Sequence, residues 1–231
     1  MQELHQVVSV IALTMGVAWA SGINLYAAIL VLGLLGSSGN MTLPPDLQIL
    51  THPVVLMAAG FMYFVEFFAD KTPGVDTSWD VLHTFIRIPA GAALAAGAVG
   101  DVDPAISLSA ALIGGTLTAG VHATKAGGRV LINASPEPFS NWGASLAEDV
   151  GVVAGLLTAL HYPWIFLGLL VVFLIVMIWL LPRIWRGVRR LTQMIANFFR
   201  ARRPPGAHGE ETEARLPPPQ LPEAGKDKNS Y

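Results

Sequence analysis

The feature that most restricts this chain is a succession of apolar runs, each roughly 17–25 residues long, the length an α-helix needs to cross about 30 Å of hydrocarbon. Six runs can be drawn, over roughly 7–35, 53–70, 78–99, 104–132, 142–160 and 163–181. Backbone N–H and C=O groups in hydrocarbon must find partners within their own segment, so runs of this kind fold as helices. The charge content agrees: 13% of residues are charged and 53% are apolar, where a soluble domain carries about a quarter charged residues. The expected fold is therefore all-α, a polytopic bundle of six membrane spans occupying residues 1–182. The absence of cysteine excludes disulfides and thiolate metal sites. The opening MQELHQ has no basic residue, so the first run is read as a retained helix and not as a cleaved signal.

Turn chemistry separates the runs: SSGNMTLPPD after the first, KTPGVD after the second, GDVDP at Gly100 to Pro104, NASPEPFSN at Asn133 to Asn141, and HYP at His161 to Pro163. All 14 Lys and Arg residues can be placed on one side of such a bundle. Lys71 and Arg87 flank the second connection, Lys125 and Arg129 the fourth, and the others follow the sixth run. The positive-inside rule makes that side cytoplasmic. With six spans, both termini of a multi-pass protein are expected in the cytoplasm.

Beyond Pro182, Trp185, Val188, Leu191, Ile195 and Phe198 recur at helical spacing, and Arg186, Arg189, Arg190 and Arg200 lie elsewhere around the same helix. Residues 183–203 read as a basic amphipathic helix resting on anionic lipid, which is compatible with a simple stop-transfer flank. Residues 204–231, rich in Pro, Glu and Gly, are expected to be disordered.

GVAWASGINLYAA (Gly16 to Ala28) lies over GGTLTAGVHATKA (Gly114 to Ala126) at a constant offset. It pairs Gly16 with Gly114, Gly22 with Gly120 and Asn24 with His122, and with a gap Glu66 falls opposite Glu148. Three spans per repeat, over about 7–99 and 104–181, would make this an inverted repeat, the plan of many secondary transporters. Gly22 and Gly120 are then the expected breaks in the first and fourth helices.

The polar residues inside these runs are the candidate site. Glu66 and Asp70 are four apart and share a helix face. An ionised carboxylate facing lipid at mid-depth costs at least about 2.5–3.5 kcal/mol, so Glu66 should face the bundle interior or water. It is read either as a proton- or cation-binding group or as the structural partner of Lys125, Arg129 or a freed N–H. Asp76, Asp80, His83 and Arg87 form one stripe at spacings of four, three and four. Helix capping explains Asp76 and Asp80, with Thr77 and Asp80 matching an S/T-x-x-D pattern. His83 and Arg87 lie too deep for that, and Arg87 needs a carboxylate. His122, Lys125 and Arg129 share a face and could hold an anion or neutralise Glu66, Glu148 and Asp149. Glu148 and Asp149, being adjacent, point about 100° apart on a helix. Asn24 joins the set as the counterpart of His122. Neither a metal-ligand spacing nor a nucleophile motif such as G-x-S-x-G is present, so no metal, cofactor or enzymatic activity is expected, and nothing points to nucleic acid.

EFFADKTPGVDTSWDVLHTFIR and HATKAGGRVLINASPEPFSNWGASLAEDV resemble a bacterial membrane family known as a domain of unknown function, DUF4126, over about Val8 to Leu181. The resemblance, with the helical rather than barrel pattern, implies a protein of the bacterial inner membrane, and it supplies no activity. From the residues themselves, the leading expectation is transport of a small solute or ion, proton-coupled through Glu66 and Glu148. The alternatives are a lipid flippase or scramblase, and an assembly protein whose charges only join helices. Oligomerisation is left open. Clustering of Glu66, His122, Lys125 and Glu148 at a mid-membrane cavity favours transport; a dry, fully paired cluster favours assembly.

Overall fold

Each apolar run forms a helix whose ends fall at the expected punctuation. The computed structural model describes residues 1–72, 74–134 and 138–201. In chain order the elements are α1 (Gln2–Ser37), a short 3₁₀ helix η1 (Pro45–Thr51), α2 (Pro53–Ala69), α3 (Val75–Ala98), α4 (Pro104–Ile132), α5 (Pro138–His161) and α6 (Pro163–Ala201). Helices α2, α4, α5 and α6 all begin on proline, whose missing N–H costs nothing in a first turn. The His52 ring caps α2 by accepting from Val54 N at 3.2 Å, and the Asp103 carboxylate caps α4 by accepting from Ala105 N at 2.8 Å. Gly74, at φ 85°, makes the tight entry to α3. Five helices are long and apolar enough to cross a membrane, and η1 with α2, bent by 68° at their junction, makes a sixth candidate. The chain is thus a polytopic helical membrane bundle.

Helix α1 departs from the simple six-span plan. Asn24 adopts an extended backbone (φ −146°, ψ 100°) inside it, and contacts on the two sides of Asn24 run in opposite directions. Before it, the Thr118 hydroxyl donates to Ala18 O, Gly22 packs on Val121, and Lys125 Nζ donates to Ile23 O. The first arm therefore descends parallel to α4. After it, Tyr26 meets His83, Gly60 approaches Leu30, and Gly33 lies against Leu50 and Leu56. The second arm therefore climbs back antiparallel to α2. Ser9, Val10 and Leu13 of the first arm share a cavity with Met41 to Pro45, Ala98 and Leu160, so both ends of α1 lie at one end of the bundle. Gln2–Ser37 is a V that enters and returns, and the crossings are made by α2 to α6.

Three expectations change as a result. The start of α1 lies with the 98–104 and 161–163 connections, whereas Pro182 and Val188 lie with Thr77 and Gly127 at the opposite end. The start of α1 and the inner end of α6 thus fall on opposite sides, because one extended residue turns the chain back. The first arm of α1 and its sequence counterpart in α4 run the same way, whereas an inverted repeat requires opposite directions. The break in α1 is at Asn24, two residues past Gly22, and α4 passes Gly120 as regular helix. Both glycines instead permit close packing. A Cβ at Gly22 would come within 2.7 Å of Val121 Cβ, and one at Gly120 within 3.1 Å of the Met177 methyl.

Antiparallel α3 and α4 form the centre of the bundle. Gly91 lies so close to Thr118, and Gly114 to Ala95, that neither glycine has room for a Cβ. Small residues at these positions let the two backbones approach. Helix α6 continues past Pro182, where the sixth span was expected to end and a separate helix over 183–203 to begin. Arg183 donates to Trp179 O at 2.7 Å and Arg186 to Pro182 O at 3.2 Å, supplying donors beside the turn the proline disrupts. Residues 1–189 form one compact unit; a second begins at Arg190, helical through Ala201. The expected disordered tail at 204–231 lies outside the described residues.

Candidate functional site

The charged residues predicted to avoid lipid form one buried network in the half of the bundle nearer α2's C-terminal end. Four helices supply it through their inward faces: Glu66 from α2 with Asp70 at its C-cap, Asp80 and Arg87 from α3, His122, Lys125 and Arg129 from α4, and Asn141 and Glu148 from α5. The helical period makes this unavoidable. Residues at successive spacings of three and four fall on one stripe, and only that stripe is shielded from lipid. Along α3 the same stripe continues as Gly91, Ala95 and Ala98, which is why the helix is polar at one end and tightly packed at the other.

Arg87 is fully buried and bridges two carboxylates, Glu66 at 2.5 Å and Asp80 at 3.3 Å. Lys125 lies among four: Asp70 at 2.9 Å, Glu148 at 3.4 Å, Glu66 at 3.5 Å and Asp80 at 3.8 Å. Arg129 pairs with Glu148 at 2.6 Å and Asp70 at 3.7 Å, and donates to the Asn141 side chain and to the Asp70 and Asn141 carbonyls. Glu66 and Glu148 both lie within 3.5 Å of Lys125 Nζ.

The hydrogen bonds of His122 fix its charge. His122 Nδ1 faces Arg87 Nη1, a donor, at 3.2 Å, so Nδ1 accepts. Its Nε2 faces Asp80 O at 3.0 Å, so Nε2 carries the hydrogen. That is a neutral imidazole. His83 donates from Nδ1 to Trp79 O at 2.9 Å, shares a hydrogen bond at Nε2 with the Tyr26 hydroxyl at 3.1 Å, and stacks on Trp79. The ion-paired network thus contains three cations (Arg87, Lys125, Arg129) and four carboxylates (Glu66, Asp70, Asp80, Glu148). Buried oxygens on three of these carboxylates, Glu66 Oε2, Asp70 Oδ1 and Asp80 Oδ2, have no hydrogen-bond partner, nor does Asp149 Oδ2.

The apex of α1 closes the network on the side facing the bundle's other half. Asn24 Nδ2 donates to Asp149 Oδ1 at 3.0 Å while its oxygen accepts from Ala27 N, starting the second arm. Glu148 and Asp149 therefore point apart as expected, one into the network and the other to the apex. On the remaining side, Lys125, Arg129 and Glu148 border a cavity of about 210 Å³ walled by Ile23, Val121 and Phe173. Glu148, whose side chain is 21% exposed, is the network carboxylate that meets this cavity. Lys71, just beyond α2, lies 3.0 Å over the Phe67 ring and donates to Phe67 O; burial draws its pKa below the ordinary lysine value.

Two sequence assignments are revised here. Helix α3 begins at Val75, so Thr77 lies within the first turn and does not cap it. The Asp76 carboxylate accepts from Gly74 N and Thr77 N and is gripped by Asn133 Nδ2 at 2.7 and 2.8 Å. Asp80, read as a capping residue, belongs to the network. Its spacing of seven from Arg87, two turns on one face, was the available signal. Tyr26 and Asn141 were not singled out by the sequence at all, since nothing local distinguishes them. Among the described residues no group of three His or carboxylate side chains is placed to hold a metal ion.

Comparison with curated proteins and with solved structures returns no match. The family model described as Domain of unknown function (DUF4126) matches residues 11–183, a stretch that contains the V of α1 from Ile11 onward and every member of the charge network. Most of the chain, including all of the candidate site, is covered by that match, and the protein belongs to the DUF4126 family.

Proposed function

We propose that this protein transports a small solute or ion across a bacterial cytoplasmic membrane, with uptake of a proton or small cation by the buried carboxylates as the coupling step. One observation carries the reading: four carboxylates share three cations inside the membrane, with a neutral His122 beside them. An unbalanced buried charge is far too costly to leave uncompensated. One cation equivalent, most simply a proton, therefore accompanies the network, and Glu148 at the 210 Å³ cavity is where it enters. The V of α1 supports the same reading. Its broken apex, Asn24, meets the network from the other side, and interrupted backbone at depth is tolerated where it lines a polar site. The Lys- and Arg-bearing end faces the cytoplasm by the positive-inside rule, which places the start of α1 outside.

Proteoliposomes loaded with a pH-sensitive dye test this. Glu66→Gln and Glu148→Gln are expected to abolish proton movement while leaving the protein folded; undiminished flux in both would overturn the mechanism. The complete burial of Glu66 and Arg87 favours a second reading, in which the charges only join helices. That reading predicts no flux in the wild type and large stability losses from every substitution in the network.

A further inference from the structure

The cavity beside Glu148 is larger and more apolar than a proton needs. The ion pairs of Glu148 with Lys125 and Arg129 both use Oε2, which leaves Oε1 outside every ion pair among the described residues. The Glu148 side chain is 21% exposed, against 3% for Lys125 and 1% for Arg129, so the charge offered to the cavity is negative. Beyond Glu148 the surroundings turn apolar and aromatic. Phe173 of α6 walls this 210 Å³ cavity and also a second one, of about 310 Å³, between α5 and α6. There the Trp19 ring stands edge-on to Phe173 at 6.0 Å and to Phe166 at 6.2 Å, in room that Gly155 leaves for it. The hydroxyl hydrogens in these walls are already spent, Thr124 donating to Gly120 O and Thr158 to Ala154 O. Gly128, which lines the first cavity, has nothing within 4 Å of where a Cβ would stand, so that wall has open space.

We infer that Glu148, with Phe173 and Trp19, forms a binding site for a monovalent organic cation bearing an apolar arm, held in place of the proton. This rests on the transport reading, in which four carboxylates share three cations, and names the class of solute. A bound cation removes the one uncompensated charge, whereas an anion would add a second, which burial makes costly. An inorganic ion needs several oxygen ligands, and among the described residues no group of three His or carboxylate side chains is placed to hold one. An organic cation needs one carboxylate and aromatic rings to attract it. Glu148 is faced by Lys125 and Arg129 of α4, which share Asp70, and Lys125 also meets Glu66 of α2 and Asp80 of α3. Ile23 of α1 and Phe173 of α6, on the other walls, bring no charge. Proton and organic cation therefore compete for one place, and binding of the cation weakens as pH falls.

The test is isothermal titration calorimetry of the full chain in mild detergent with benzyltrimethylammonium, run in two buffers of different ionisation enthalpy so that proton release is counted. The wild type is expected to bind this cation about tenfold more tightly than tetramethylammonium, which lacks the ring, to release a proton as it binds, and to ignore benzenesulfonate, an anion of similar size. Phe173→Ala is expected to bring the two cations to equal affinity, and Glu148→Gln to abolish binding. Gly128→Leu, which grows into open space and leaves every charge in place, is expected to block the site as well, and it keeps the test decisive should Glu148→Gln fail to fold. Benzenesulfonate bound as tightly as the cation would overturn the inference, and so would unchanged binding in Gly128→Leu. Absence of cation binding beside a Glu148-dependent proton flux in proteoliposomes would overturn it while leaving the transport reading in place; binding with proton release but no flux would uphold the site and sink the transport reading alone.

Discussion

Removing a cation and removing a carboxylate from the network should have opposite consequences. Arg87→Gln takes away the group that bridges Glu66 at 2.5 Å and Asp80 at 3.3 Å. Among the described residues Lys125, at 3.5 and 3.8 Å, is then the one cation within 4 Å of either, and it already serves Asp70 and Glu148. The ratio falls from three cations per four carboxylates to two per four. Stranding a buried charge in this way costs about 3–5 kcal/mol. At about 2–4 °C per kcal/mol for a chain of this size, that is a drop in Tm of about 6–20 °C. Glu66→Gln instead leaves three cations facing three carboxylates. The amide oxygen still accepts from Arg87, and the new cost is that of one imperfectly placed amide, about 1–2 kcal/mol. Thermal unfolding of the detergent-purified variants, followed by size-exclusion monodispersity after heating, measures both. Equal losses in the two variants, or a greater loss for Glu66→Gln, would refute the carboxylate excess and with it the case for a bound proton. The double variant Arg87→Gln with Glu66→Gln should recover part of the Arg87→Gln loss, since it removes one of the two stranded carboxylates.

The V of α1 is testable by labelling, because the chain contains no native cysteine: Glu3→Cys and Asp101→Cys should react with a membrane-impermeant maleimide from the same side, and Phe139→Cys from the other. Reaction of Glu3→Cys with Phe139→Cys from one side would return α1 to a simple span. Asn24→Ala removes both the donor to Asp149 and the acceptor for Ala27 N and should cost about 1–3 kcal/mol in the same thermal assay, with Asn24→Asp worse because it sets two carboxylates face to face. Gly91→Ala should cost about 1–3 kcal/mol by overpacking, since the added methyl meets the Thr118 side chain. Thr118→Ala in the same chain should restore much of the loss by clearing that space.

The parts of this molecule that could be read from the sequence are those that depend on period and cost. The stripe Asp76, Asp80, His83, Arg87 faces inward because lipid forbids any other face, and the same reasoning places His122, Lys125 and Arg129 opposite it. Their meeting follows once α3 and α4 pack antiparallel, which their short connection enforces. The V of α1 was not legible, because its cause is one residue. Asn24 adopts an extended backbone only because Asp149 takes its amide hydrogen and Ala27 N needs its oxygen, and Asp149 is a distant partner in sequence. The neighbouring Gly22 attracted the prediction because glycine is permissive, yet in a membrane helix glycine more often serves close packing, as it does against Val121.

The error over the topology shows what charge placement alone can decide. Every Lys and Arg is accounted for equally well by six spans or by five spans and a V, because the first connection and the opening residues carry no basic group in either arrangement. The acidic side carries the discrimination that the basic side lacks. If α1 crossed the membrane, Asn24 would lie near the opposite end of the bundle from Lys125, and Asp149 and Ile23 O would each lack their partner at depth. The V brings all three to one level, so that the extended apex and the surplus carboxylates lie side by side. A chain that merely needed helices held together could have matched three cations with three carboxylates and kept α1 continuous. Retaining a fourth carboxylate, and bending a helix to meet the site, is intelligible where the network must accept and release a charge.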